Sequence, residues 1–204
     1  MYRAVALPAL LLALAPFHAS VKPLSQPVRS ELRAGGFWHR GCPVGLSALR
    51  VLTVSYRGFD GRSHTGRIVV NARVARPLTG VFARLWGLHF PIRRMGTLPL
   101  DGDVTASFSC REASPSPCVG GTGTGSWSMH AFGLAVDLNP GENPYVGCGQ
   151  SRDPHTRKYF DRSRHRKGMV TPRAIQAFGT IGWGWGGSWA GDTKDYMHFS
   201  SNGH

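Results

Sequence analysis

Acidic residues are scarce in this chain: 11 Asp and Glu face 24 Lys and Arg, for a formal charge of +13 at neutral pH. That imbalance excludes an acidic solvating tail and points to a polyanionic partner. Cysteines are also few, and no two of Cys42, Cys110, Cys118 and Cys148 have zinc-finger spacing. They read instead as two disulfides of an exported protein, with three pairings open to four cysteines. The Pro-rich loop holding Pro115 and Pro117 suggests a local Cys110–Cys118 bridge, which leaves Cys42 for Cys148. Beyond the first twenty residues no stretch is apolar enough to span a membrane. The Gly-rich run Gly120 to Gly125 lacks the Lys-Ser/Thr of a phosphate-binding loop. Internal repeats and a second composition regime are absent too, so 204 residues suit one domain with a sizeable core.

The first twenty residues differ from the rest. Arg3 precedes an apolar run, Ala4 to Ala15, with small residues near Ala15 and Ala19. A positive start, a short apolar centre and a small-residue end predict a signal peptide over 1–20. Arg3 is the one Lys or Arg in that segment, so the basic character belongs to the remainder. An N-terminal arm over 21–40 and a main domain over 41–204 are expected to follow.

Within the arm, Ser30-Glu31-Leu32-Arg33 predicts a short helix capped by Ser30 and stopped by Gly35-Gly36. Leu49 to Tyr56 and Thr65 to Val70 predict a hairpin around Phe59-Asp60-Gly61-Arg62. A helix is expected from Pro77 to about Leu88, and another from Pro172 to Phe178, after a basic loop with Arg162, Arg164, His165, Arg166 and Lys167. Hairpins with helices between them, and no βαβ rhythm, give an α+β fold with a mainly antiparallel sheet flanked by helices.

The chemistry concentrates in two segments. Ser128-Met129-His130-Ala131-Phe132-Gly133-Leu134-Ala135-Val136-Asp137 is answered by Asp195-Tyr196-Met197-His198. If Ala135 to Asn139 is a strand, Asp137 faces away from Val136 and Leu138. On the last strand, His198 faces away from Met197 and Phe199. Were these strands neighbours, Asp137 and His198 would share a surface with His130 above them, and Gly133 would allow the tight turn between. Two imidazoles and a carboxylate with one position open to water make a catalytic zinc set. Asp195 lies on the wrong face for a strand continuous with His198, so it must sit in the turn entering it, within reach of that water as general base. The alternating glycines and indoles from Gly182 to Trp189 suit either a groove wall or packing under a tight loop.

These residues carry a resemblance. Ser128-x-His130-x-x-Gly133-x-Ala135-x-Asp137, taken with Asp195-x-x-His198, resembles the zinc D-alanyl-D-alanine carboxypeptidase family. That family includes D-Ala-D-Ala dipeptidases and L-alanyl-D-glutamate endopeptidases and shares the hedgehog/DD-peptidase fold. The likeness runs from about Gly41 to Phe199 and takes in Asn139-Pro140, Asn143-Pro144-Tyr145 and Gly182 to Gly187. It implies one Zn2+ on His130, Asp137 and His198, with Asp195 as catalytic base. It further implies that Arg111 steadies the carbonyl oxyanion, although Glu112 stands where the family often has Ser. Ser128, Trp127 and Trp185 are expected near substrate. The implied protein is a secreted or cell-envelope metallopeptidase acting on peptidoglycan stem peptides as a monomer. Its charge would draw it to anionic wall polymers, with no nucleic-acid partner and no membrane span once the signal is removed. The alternative of the same fold is a zinc-containing wall-binding module without hydrolysis, and the presence of Asp195 speaks against it.

Overall fold

The computed structural model describes residues 16–98, 102–121, 123–151 and 153–204. The apolar run of the expected signal peptide lies outside these residues. Phe17 is already folded in, its ring 6.2 Å from that of Trp86, and His18 N–H donates to Ser55 Oγ at 3.0 Å. The arm expected over 21–40 is likewise part of the fold. Strand β1 (Ala19–Pro23) pairs with β2 (Leu49–Arg57), and helix α1 (Gln26–Ala34) follows it. A boundary at Ala15 therefore leaves β1 whole, whereas one at residue 20 cuts it.

Helix α1 begins four residues before the expected Ser30. Ser25 occupies the cap position, and Pro27 stands in the first turn, where its missing N–H costs nothing. Val28 and Leu32, one turn apart, are its buried face.

Strand β2 is the spine of the first sheet, flanked by β1 and by β3 (Ser63–Asn71), all antiparallel. Alternation explains its dense apolar run. Leu52 and Val54, with Ile68 and Val70 of β3, enter one core, while Leu49, Val51 and Val69 enter another beneath α1 and Phe108. Both faces of this sheet are covered.

Helix α2 (Ala72–Gly87) starts earlier than Pro77 predicts, because the Asn71 side chain accepts from Arg73 N–H and caps it. Pro77 lies inside α2, on its exposed side, and lacks the N–H that would donate to the Arg73 carbonyl. Ala75, Leu78, Val81, Phe82 and Leu85 form the buried stripe.

The remainder is built from much shorter pieces: β4 (Ala135–Asp137), β5 (Tyr145–Gly147), β6 (Gln150–Ser151), α3 (Pro172–Gly179), β7 (Gly184–Trp185), β8 (Lys194–Asp195) and β9 (His198–Ser200). Among the described residues they make two further three-stranded antiparallel sheets, in the orders β4-β9-β7 and β6-β5-β8. The fold is α+β as expected, with its strands divided among three small sheets. Phe199 of β9 stacks on Phe178 of α3 with centroids 3.9 Å apart, joining the second sheet to the core of the first.

The disulfides correct the expected pairing: Cys42 joins Cys110, and Cys118 joins Cys148. Chain proximity favours a short Cys110–Cys118 loop, but tertiary structure sends the two cysteines to different neighbours. Cys110 belongs to the core under α1, and its N–H donates to Phe37 O at 3.0 Å. Cys118 lies in a turn packed against Gly147 of β5, beside Cys148.

Candidate metal centre and its cavity

His130 sits on a 3-10 turn, Met129–Phe132, whose cap is Ser128; the Ser128 hydroxyl accepts from His130 N–H at 3.3 Å. Gly133 closes the turn at φ +67°, a conformation costly for any residue with a Cβ. An added Cβ would also stand 2.7 Å from Asn71 N. Asn71 holds this turn to the first sheet, donating from its backbone to Gly133 O and from its side chain to Phe132 O, both at 2.9 Å.

Asp137 ends β4 and faces His198 of β9 in register. Val136 and Phe199 point into the core, so Asp137 and His198 emerge on the opposite face, as the alternation predicts. His130 Nε2 lies 3.1 Å from Asp137 Oδ1 and 3.2 Å from His198 Nδ1, and the third side of the triangle is 3.3 Å. Tetrahedral ligands about 2.0–2.1 Å from a zinc ion stand about 3.3 Å from one another, so the donor set fits that ion. The proton arrangement agrees. His130 Nδ1–H donates to Ser107 O at 2.5 Å, which leaves its Nε2 lone pair facing the other two atoms. Ser107 Oγ donates to Ala135 O at 2.6 Å, so one serine fixes both the ring and β4. Burial would raise the Asp137 pKa, but the imidazoles of His130 and His198 outweigh it and hold the carboxyl far below the usual range.

Asp195 is not in a simple turn before the last strand. It belongs to β8, which pairs with Tyr145 of β5, and Tyr196-Met197 carry the chain across to β9. That sideways step resolves the alternation conflict, because Asp195 and His198 are on different strands. Burial, reinforced by the charge of Asp137, pushes the Asp195 carboxyl up to about 7; His198 and Arg111 act in the opposite sense. Asp195 Oδ1 and His198 Nε2 are buried with no hydrogen-bond partner among the described residues. Unpaired polar atoms of this kind mark a place made for something else to bind. Gly186 explains how Asp195 comes so close, since a Cβ there would stand 2.5 Å from Asp195 O.

These side chains open into a cavity of about 590 Å3 that Arg111, Trp127, Ser128, Tyr145 and Trp189 also line. Arg111 is exposed, with Nη1 donating to Glu112 O at 3.1 Å. Trp127 forms part of the rim and is 41% exposed. Trp185, expected near substrate, does not line this cavity. Its indole N–H donates to Tyr196 O at 2.8 Å and its ring packs against the core. Trp189 takes the place beside the site, its ring 6.0 Å from that of His198 and its Nε1–H donating to Gly203 O. Sequence reasoning missed Ser107 altogether, since a serine in a polar loop carries no signal until its carbonyl meets an imidazole.

A His2Asp donor triangle beside a buried carboxyl, in a cavity with an arginine on its wall, has the parts of a metal-dependent hydrolase. In the comparisons with known proteins, a family model described as D-alanyl-D-alanine carboxypeptidase matches residues 122–201, which supports a peptidase. The matched span contains His130, Asp137, Asp195 and His198 and leaves out Arg111. Searches of curated proteins and of solved structures give no match.

Proposed function

We propose that this chain is a zinc metallopeptidase that hydrolyses peptide bonds of peptidoglycan stem peptides, of the D-Ala-D-Ala carboxypeptidase or L-Ala-D-Glu endopeptidase type. The observation that carries the reading is the triangle of His130 Nε2, Asp137 Oδ1 and His198 Nδ1, with sides of 3.1 to 3.3 Å, beside the buried Oδ1 of Asp195. The three residues would hold one Zn2+. When bound, zinc supplies Lewis acidity toward water and an amide carbonyl.

The chain's own residues do the rest. Ser107 O fixes the tautomer and tilt of His130. Asp195 takes a proton from the attacking water and delivers it to the leaving amine, a task suited to a carboxyl whose buried Oδ1 has no other partner among the described residues. Arg111 offers its guanidinium to the negative charge that grows on the carbonyl oxygen. Trp127, Trp189 and Tyr145 bound the peptide path, and Ser128 acts by capping the ligand turn.

The same reading makes the protein a monomer of the cell envelope or its exterior. Two disulfides suit that setting, and no helix among the described residues is long and apolar enough to cross a membrane. The net charge of +13 for the full sequence, one unit less without Arg3, would concentrate it on anionic wall polymers. Digestion of purified peptidoglycan with and without chelator, with fragments identified by mass, tests activity, metal dependence and bond choice together. The expected result is stem-peptide cleavage that chelator abolishes and zinc restores. Unchanged fragments under every condition would overturn the proposal.

A further inference from the structure

The basic loop from Arg162 to Lys167 takes no part in the site above. Arg162 turns inward, donating to Asn143 Oδ1 at 2.9 Å and covering the Tyr196 ring at 4.6 Å. His165 and Lys167 instead line a second cavity, also about 590 Å3 and within the range of small-ligand pockets. One wall is the segment Leu88, His89, Phe90 and Pro91 after α2, and the other runs from Lys167 to Arg173 at the start of α3. Leu88, Phe90, Pro91, Met169 and Pro172 give it apolar surface, while His89, His165, Lys167, Thr171 and Arg173 are the polar residues of its lining. No carboxylate lines it among the described residues.

The walls are held by buried polar groups. The Asn139 side chain donates to Pro91 O at 2.8 Å and to Gly168 O at 3.0 Å, so one amide ties both sides together. Asn143 adds a bond to Gly168 O at 3.0 Å. Lys167 Nζ donates to Phe59 O at 2.5 Å and stands 5.6 Å from the centre of the Phe59 ring, which fixes the position of its charge at the edge of the cavity.

An ammonium, a guanidinium, two imidazoles and a hydroxyl, in a lining that holds no carboxylate among the described residues, call for an anion. A phosphate, doubly charged and with several acceptor oxygens, satisfies more of these donors than a carboxylate does. The apolar surface beside them calls for a nonpolar group attached to that anion. We propose that this cavity is a second, non-catalytic site that binds an amphipathic phosphate monoester.

Titration calorimetry on the full chain with monomeric dihexanoylphosphatidic acid tests the proposal. Glycerol 3-phosphate serves as the control without an apolar arm, and dihexanoylphosphatidylcholine as the control without net charge. The phosphatidic acid should bind at least about tenfold more tightly than either control. K167A/R173A should weaken it by about tenfold or more, and L88D should do the same without touching a donor. Equal binding of either control, or binding unchanged in both variants, would overturn the assignment. Sedimentation with phosphatidic-acid vesicles, lost in K167A/R173A, would identify a bilayer as the source. Monomer binding without sedimentation would identify a free ester. Either result leaves peptidase activity a separate question, because none of these residues lines the metal-centre cavity.

Discussion

The first sheet and the region around the candidate metal centre are built on different principles. β2 and β3 are nine residues each, paired along their whole length, and their side chains enter two apolar cores. Around the site, strands are two or three residues long, and buried side chains do much of the holding. Asn143 alone donates to Leu138 O, Asn139 O and Gly168 O and accepts from Val170 N–H. Regular pairing gives a rigid platform, but it cannot bring four functional groups from separate stretches to one point. Short strands joined by polar clamps can. Stability should therefore be sensitive to the first region, and chemistry to the second.

The sharpest division should come from the donor triangle. H130A or H198A is expected to lose stoichiometric zinc and all measurable turnover, read by metal analysis and peptidoglycan digestion, while the circular dichroism of the first sheet persists. D195N should retain zinc yet lose turnover by about 10²–10⁴-fold, the usual contribution of a general base. Loss of metal together with activity would reassign Asp195 as a ligand.

The raised pKa of Asp195 has a second consequence. A carboxyl whose folded pKa of about 7 exceeds its unfolded value favours the fold at low pH, and that contribution disappears as pH rises through 7. In chelator-treated protein, D195N should therefore raise the melting temperature at pH 8 and raise it less at pH 4. A larger gain at pH 4 would contradict the assignment.

The converse experiment falls in the first sheet. L52A removes a fully buried side chain and should cost about 2–5 kcal/mol, measured by denaturant unfolding, with kcat of the folded enzyme unchanged. A smaller effect is expected at Gly186. G186A must displace Asp195 because of the 2.5 Å approach, so kcat should fall by about tenfold while zinc content and KM stay close to normal. Should kcat be untouched, the base is less finely placed than the packing implies.

Much of the platform was legible because apolar period and turn chemistry are local. The hairpin appears within two residues of its predicted ends, and α3 at its predicted start. The facing of Asp137 and His198 could be read from Val136 and Phe199, since alternation in a strand admits one answer. Helix α2 was misread at its start because Pro77 reads as a first residue, although Asn71, a preferred cap residue, stands six residues earlier. Asp195 was assigned to a turn because a strand interrupted for two residues looks continuous in sequence.

From the sequence alone came the inventory of the site: two imidazoles and two carboxylates in two segments, with the periodicity that orients two of them, Asp137 and His198. Tertiary structure alone decided that Cys42 pairs with Cys110, that Trp189 and not Trp185 faces the cavity, and that Ser107 holds the His130 ring. The division has a physical cause. A side chain's direction follows from its own backbone, but its partner depends on how far-separated stretches pack, and no short window of sequence contains both.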